Sequence, residues 1–209
     1  MVKQTGPALF TGVGSRAIVG AVSDTGFENV RFLAADELRR VLGAVDAAAV
    51  DGLVAALRVS PRVFVAGAGR SGLALRGFAM RLMHMGFDAR VVGDVTTPAL
   101  APGDLLVIGS GSGATGGLVS VSGKARSLGG RIALLTTIPD SPIGRDADVV
   151  VTIPAPTPKA GSAVGQSRQP MASLFEQALW VLLDTTILLL MEAGGVSAES
   201  MFRRHANLE

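Results

Sequence analysis

The sequence predicts an α/β fold, a three-layer αβα sandwich around a mostly parallel sheet of five strands. Short apolar runs alternate with helical segments from residue 62 onward, which is typical of parallel strands joined by helices on both faces of a sheet. Hydrophobic residues make up 48% of the 209 residues and charged residues only 17%. Much of the chain must therefore be buried in a core or between subunits. We expect one domain that self-associates.

The elements can be assigned in order from periodicity. Apolar residues recur at helical spacing over residues 35–57, with Gly43 as a break between two helices. The predicted strands are residues 62–66, 89–92, 104–108, 131–136 and 149–151. The predicted helices that follow are residues 71–85, 115–128, 170–193 and 196–203, and Pro170 occupies the first turn of the long one.

Two segments lack a steady period. Residues 1–34 are rich in glycine and are predicted to be an irregular extension, so the folded domain is expected to span residues 35–209. Residues 152–169 are rich in Pro, Gly and Ser. They form a connection too long to be passive, because connections usually have about 4–6 residues. We interpret this second segment as an active-site or interface loop.

Composition excludes several classes of protein. The chain has no cysteine and only two histidines, so a disulfide framework, a thiolate metal site and a histidine metal cluster are not expected. The net charge is +2 without a cluster of basic residues, which gives no footprint for nucleic acid. The apolar run 178–191 is interrupted by Asp184 and predicts a buried helix. Residues 1–14 lack the order of a secretory signal, so we expect a cytoplasmic protein without a membrane partner.

A loop of glycines and hydroxyls follows the third predicted strand. The run Ser110-Gly111-Ser112-Gly113-Ala114-Thr115 opens a predicted helix. Its glycines allow a tight turn and a close approach of backbone to ligand. Its hydroxyls add hydrogen bonds to the exposed N–H groups of the helix start. The pattern predicts a phosphate site, and the alternative is a helix start capped by Ser or Thr.

A second glycine-rich loop follows the first predicted strand. The run Gly67-Ala68-Gly69-Arg70-Ser71-Gly72 fits the dinucleotide-binding pattern G-x-G-x-x-G, and Asp94 lies near the expected position of a ribose-binding acid. A nicotinamide oxidoreductase is therefore an alternative. However, two phosphate-type loops at the carboxyl ends of two strands favour one compact ligand at a topological switch point.

The two loops together resemble the sugar isomerase (SIS) domain, and more closely its 6-phospho-3-hexuloisomerase branch. The C-terminal run Met201-Phe202-Arg203-Arg204-His205-Ala206-Asn207-Leu208-Glu209 is similar to the end of that branch. The resemblance covers residues 35–209 and implies a flavodoxin- or Rossmann-like fold.

The resemblance also implies an activity. This is the reversible isomerisation of D-arabino-hex-3-ulose 6-phosphate to D-fructose 6-phosphate. It is the partner step to formaldehyde fixation in the ribulose monophosphate pathway. It implies no cofactor and no metal, a homodimer or homotetramer, and 3-hexulose-6-phosphate synthase as functional partner. In that family pattern the substrate phosphate is surrounded by Ser71, Ser110, Ser112, Thr115, Gly69, Gly111 and Gly113. Glu176 is the carboxylate at the reacting carbons, and His205 relays protons or binds hydroxyls in its own or a neighbouring subunit's site.

Each candidate residue also has a structural interpretation. Glu176 stands early in a helix, where a carboxylate complements the helix dipole. His205 could be a solvated tail residue, and Arg70 could contact phosphate or be an exposed positioning arginine. Asp184 lies among apolar residues and is predicted to be a buried structural acid. His84 is predicted to be a helix-terminal or core residue.

Two alternative functions are also found among proteins with the SIS domain. One is a non-catalytic SIS-domain sensor of sugar phosphates, which would usually bring a DNA-binding helix-turn-helix, and residues 1–60 offer no basic recognition helix. The other is arabinose 5-phosphate isomerase, which commonly adds C-terminal regulatory domains. The implied site can be sparse, because a 3-ketose with a phosphorylated O6 cannot close a five- or six-membered ring and needs no ring-opening group. One carboxylate then suffices to pass through a cis-enediol.

Overall fold

The computed structural model describes residues 26–156 and 166–208. The chain divides into two compact units, Met1–Asp36 and Glu37–Glu209, and the boundary lies inside the first helix, α1 (Phe27–Gly43). Residues 1–25 of the predicted extension lie outside the described residues. The helix begins at Phe27 rather than at Ala35, so the last part of the predicted irregular segment is helical. Phe27, Val30 and Phe32 are exposed, and without a buried face this first part of the helix shows no apolar period.

The second unit contains a parallel sheet of five strands. The strands are β1 (Val63–Gly67), β2 (Ala89–Val91), β3 (Leu105–Gly109), β4 (Arg131–Thr136) and β5 (Val149–Thr152). Their spatial order is β2-β1-β3-β4-β5, and every neighbouring pair is parallel. The order reverses between β1 and β3, as in flavodoxin-like sheets. The predicted α/β class and the predicted strands are confirmed.

Helices cover both faces of this sheet. They are α2 (Ala47–Val59), α3 (Gly69–Met85), α4 (Gly116–Ser127), α5 (Ser173–Gly194) and α6 (Ala198–Phe202). Val63 and Val65 of β1 pack in the cluster with α2, α3 and α5, whereas Phe64 and Ala66 pack in the cluster with α4. Both faces of the central strands β1, β3 and β4 are thus buried, which explains why they read as continuous apolar runs.

The long helix α5 is part of the core. By length and composition it is apolar enough to cross a membrane, but its Phe175, Leu179 and Leu183 are buried against the sheet and α3. The helix is buried along one face, as predicted, whereas Trp180 and Leu188 on its other face are exposed. It begins at Ser173 and not at Pro170, because Met171 takes a φ of +59° that a right-handed helix does not accommodate. Part of the predicted functional loop, residues 157–165, lies outside the described residues.

Candidate active site

A cleft of about 550 Å³ opens at the carboxyl ends of β1 and β3. These strands are neighbours, and the chain leaves them toward opposite edges of the sheet, so the cleft lies at the topological switch point. Three segments line it, namely the loop after β1, the loop after β3 and the start of α5. The lining residues are Gly69, Arg70, Ser71, Gly111, Ser112, Thr115, Met171, Ala172, Ser173, Phe175 and Glu176. The two predicted phosphate loops and the predicted carboxylate therefore meet in one site.

The loop after β1 delivers the start of α3 to the cleft. Gly69 has a φ of +55°, which favours glycine, and Ser71 in the first helical turn is buried. In the described part of the chain no side chain caps this helix start. The first N–H groups of a helix have no intrahelical acceptor, so this end of α3 is suited to an anion.

The loop after β3 is held from behind by the next strand. Thr136 and Thr137 donate their hydroxyls to the carbonyl of Gly111, at 3.1 and 2.7 Å. Gly113 has a φ of +56°, and a Cβ there would lie 1.9 Å from Oγ of Ser141. Only glycine fits this position. The turn presents Ser112 and Thr115 to the cleft at the start of α4.

Two residues predicted to surround the phosphate, Ser110 and Gly113, take part in hydrogen bonds of the turn itself. Ser110 is buried, and its hydroxyl is 3.3 Å from that of Thr115. Gly113 accepts a hydrogen bond from the N–H of Ile143 and donates one to the carbonyl of Ser110. Neither lines the cleft. They shape the turn, because the left-handed residue and its hydrogen bonds fix where the other hydroxyls point.

Glu176 lies at the opposite wall, in the first turn of α5. Its Oε2 is 3.1 Å from Nη1 of Arg70, and the same Nη1 donates to Oγ of Ser173 at 3.2 Å. The Glu176 side chain is 19% exposed and that of Arg70 is 59% exposed. The carboxylate is thus largely sheltered, held by a cation from the first phosphate loop, and open to the cleft.

The acid expected for a dinucleotide is placed elsewhere. Asp94 forms an ion pair with Arg76 at 2.5 Å and lines a different cleft beside β2. The glycine pattern has a packing reason instead, because a Cβ on Gly72 would lie 2.7 Å from the carbonyl oxygen of Gly67. Helix α3 therefore packs directly on the end of β1. Because Asp94 lines a different cleft, the residue expected to bind the ribose of a nicotinamide cofactor is not beside the glycine-rich loop.

His205 lies outside the cleft of its own chain. Its ring stacks on that of His84 with 5.3 Å between centroids, in a second cleft of about 450 Å³ near the end of α3. Helix α3 has 17 residues, so about 25 Å separate this end from the phosphate loops. His84 is buried, as predicted, and burial lowers its pKa, with further lowering by Arg81 and His205.

The prediction for Asp184 is wrong. The residue is exposed and lines the second cleft rather than the core. It lies one helical turn from Trp180 and Leu188 on the outer face of α5, and both of those side chains are exposed. The apolar surroundings of Asp184 in the sequence thus include surface residues.

In residues 26–156 and 166–208 no group of three or more His, Cys, Asp or Glu could hold a metal ion.

Several lining residues carry no signal in the sequence. Met171, Ala172, Ser173 and Phe175 form the wall beside Glu176. They are ordinary residues in the approach to a helix. The strained φ of Met171 depends on tertiary contacts, so no local pattern could have singled it out.

Comparison with known proteins supports the same family. The sequence matches the SIS domain over residues 56–180. It is 51% identical to a 3-hexulose-6-phosphate isomerase of Bacillus subtilis over 150 residues, covering 72% of this chain and 81% of that protein. It is 47% identical to one of Mycobacterium gastri over 192 residues, covering 91% and 96%.

The fold agrees with a solved relative. The structure superposes with a TM-score of 0.74 on the crystal structure of a Methanococcus jannaschii protein that is 29% identical in sequence. The function inferred for that protein from its structure is 3-hexulose-6-phosphate isomerase. The match covers 85% of this chain and 97% of that one. The chain therefore belongs to the SIS domain family and, within it, to the family of the 3-hexulose-6-phosphate isomerases.

Proposed function

We propose that this chain is an isomerase that interconverts D-arabino-hex-3-ulose 6-phosphate and D-fructose 6-phosphate. The observation that carries the proposal is the meeting of two phosphate-type loops and one sheltered carboxylate in a single cleft. A cleft of about 550 Å³ suits one monosaccharide ester. The names of the relatives support this substrate.

The phosphate group binds between the starts of α3 and α4. Ser71, Ser112 and Thr115 donate hydroxyl hydrogen bonds, and the backbone N–H groups near Gly69 and Gly111 complete the cradle. Both helix dipoles favour the dianion here. Ser110 and Gly113 contribute indirectly by holding the second turn.

Glu176 then transfers the proton. In the direction of fructose 6-phosphate it removes the proton from C2 while O3 gains a proton, which gives a cis-enediol; it then returns a proton to C3 while O2 loses its proton and becomes the carbonyl oxygen. The carbonyl moves from C3 to C2 without net oxidation, so the step needs no redox cofactor. A positioned general base contributes about 10²–10⁴-fold to such a rate.

His205 acts, in this proposal, in the cleft of a neighbouring subunit. Its distance from the cleft of its own chain along α3 supports that assignment. A homodimer or homotetramer is supported by exposed apolar side chains on α3 and α5, among them Leu73, Met80, Trp180 and Leu188.

The substrate chemistry also indicates a functional partner. A 3-ketose phosphate must be built by a synthase that joins a one-carbon unit to a pentose phosphate, and 3-hexulose-6-phosphate synthase is that enzyme. We place both steps in the cytoplasm, where sugar phosphates are made and used.

The test is direct. Freshly prepared D-arabino-hex-3-ulose 6-phosphate is mixed with the protein, and fructose 6-phosphate formation is followed with EDTA present. We expect turnover that EDTA does not reduce. Binding of the sugar phosphate without turnover would favour the sensor interpretation, and turnover only of arabinose 5-phosphate would favour the other isomerase.

A further inference from the structure

A strained turn forms one wall of the cleft. Met171 has a φ of +59°, and it is the only non-glycine residue with a positive φ in the described ranges. With Ala172 and Ser173 it lines the cleft directly before Glu176. The Met171 side chain is 84% exposed, so its own packing does not hold this conformation. A strained backbone persists only where its surroundings fix it.

The helix holds the turn from one side. The N–H of Ser173 donates to the carbonyl of Pro170 at 3.1 Å, and the N–H of Glu176 donates to that of Ala172 at 3.0 Å. These bonds fix the turn to α5. The other side needs an anchor of its own, because the described residues directly before Pro170, residues 166–169, belong to no helix or strand.

That anchor is the carboxylate of Glu37 on α1. Its Oε2 accepts hydrogen bonds from Oγ of Ser167 at 2.7 Å and from Nε2 of Gln169 at 3.1 Å. Its Oε1 accepts one from the N–H of Arg168 at 3.0 Å. Glu37 is only 4% exposed. A buried carboxylate with both oxygens occupied fixes its donors firmly, since releasing it would leave a buried charge unsatisfied.

The charge of Glu37 persists at neutral pH. Burial raises the pKa of this carboxyl, but the hydrogen bonds from Ser167, Arg168 and Gln169, together with nearby Arg40, outweigh burial and lower it overall. The anchor is therefore an acceptor for all three donors under ordinary conditions.

A further link continues from the anchor to the catalytic helix. Oε1 of Gln169 accepts a hydrogen bond from Nε2 of Gln177 at 2.7 Å, and Gln177 follows Glu176 in α5. The anchored segment thus meets α5 both through the backbone at Pro170 and through this side-chain bond.

We infer that Glu37 is a positioning residue for the isomerase site, which holds the Met171–Ser173 wall and the start of α5 so that Glu176 faces the bound sugar. This inference rests on the proposed function. It separates binding from chemistry, because the three hydrogen bonds that Glu37 accepts come from residues 167–169 and not from the loops after β1 and β3. Loss of the anchor should lower kcat and leave phosphate affinity unchanged.

The test compares Glu37→Gln with Asp104→Asn. Asp104 is also a buried acid, but it pairs with Arg62 at 2.7 Å at the start of β3, the end of the sheet away from the cleft. Hydrogen–deuterium exchange over residues 166–176 gives a readout that does not depend on activity. Kinetics with the hexulose phosphate give kcat, and a binding titration gives the Kd of inorganic phosphate.

For Glu37→Gln we expect exchange in this segment at least tenfold faster than in the wild type, kcat lowered tenfold or more, and a phosphate Kd within twofold. Asp104→Asn should lower Tm without either effect. If Glu37→Gln does not fold, Ser167→Ala removes one donor and should lower kcat several-fold with the same pattern. The inference is overturned if exchange and kcat match those of Asp104→Asn. A wild type without isomerase activity would instead refute the proposed function, and the exchange arm would still decide whether Glu37 holds the turn.

Discussion

Arg70 and Glu176 form an ion pair across the cleft, with Nη1 of the arginine 3.1 Å from Oε2 of the glutamate. One residue comes from the loop after β1 and the other from the first turn of α5, so this contact joins the proposed phosphate site to the carboxylate. The same Arg70 nitrogen also bonds Ser173. A cation in this place orients the carboxylate and lies within reach of an anionic ligand.

Replacing Arg70 with alanine should lower kcat more than it raises KM. Glu176 would lose the contact that fixes its direction, and small misplacements of a catalytic group cost on the order of 10²-fold. Steady-state kinetics measure the split. The control is Arg76→Ala, an arginine on the same helix that pairs with Asp94 outside the cleft. An unchanged kcat with a raised KM would assign Arg70 to phosphate binding alone.

Replacing Ser112 with alanine should raise KM about tenfold, since a hydrogen bond to a charged group is worth about 1.5–3 kcal/mol. The value of kcat should change less, because the phosphate is held equally in the ground and transition states. Ser120→Ala, at an exposed position of α4, is the matched control. A loss confined to kcat would speak against a phosphate contact.

Stability should fall as the pH drops below about 6.5, the ordinary pKa of histidine. Burial lowers the pKa of His84, with Arg81 and His205 adding to it. Between the folded and unfolded pKa values the unfolded chain binds more protons, so the stabilisation is fully present above the unfolded value and is lost below it. Tm measured at pH 7.5 and 5.5 should decrease less in His84→Gln than in the wild type. Equal decreases would contradict this assignment.

Mixed oligomers can locate the action of His205. If it works in a neighbouring subunit, Glu176→Gln and His205→Ala are each inactive alone, but a mixture refolded together regains part of the activity. One site in a mixed dimer then has both groups intact. Each variant refolded alone is the control. A mixture no more active than its components, despite exchange of subunits, would exclude a role across the interface.

The fold could be predicted from the sequence because its signals are local. The central strands are buried on both faces, so each appears as an apolar run such as residues 105–108. The two glycine-rich loops that line the cleft could also be predicted, since Gly113 and its neighbouring hydroxyls act through the backbone of one short turn. The start of α1 could not, because Phe27 and Phe32 are exposed and leave no amphipathic pattern.

The parts of the site that depend on contacts between residues distant in sequence could not be predicted. Glu37 meets its three donors more than a hundred residues away, and nothing in α1 marks it as different from other helical acids. The burial of Asp184 could not be predicted either. Its sequence neighbours are apolar whether they lie on the exposed or the buried face of the helix. Ser110 stays a prediction as a phosphate contact, and its hydroxyl lies 3.3 Å from that of Thr115.

The central claim is that Glu176 moves the proton on a sugar whose phosphate is held by the two loops, and turnover by Glu176→Gln tests it most directly. Conversion of D-arabino-hex-3-ulose 6-phosphate should fall by about 10²–10⁴-fold, while the affinity for fructose 6-phosphate stays within a few-fold of the wild type. Turnover by Glu176→Gln at the wild-type rate would contradict the account.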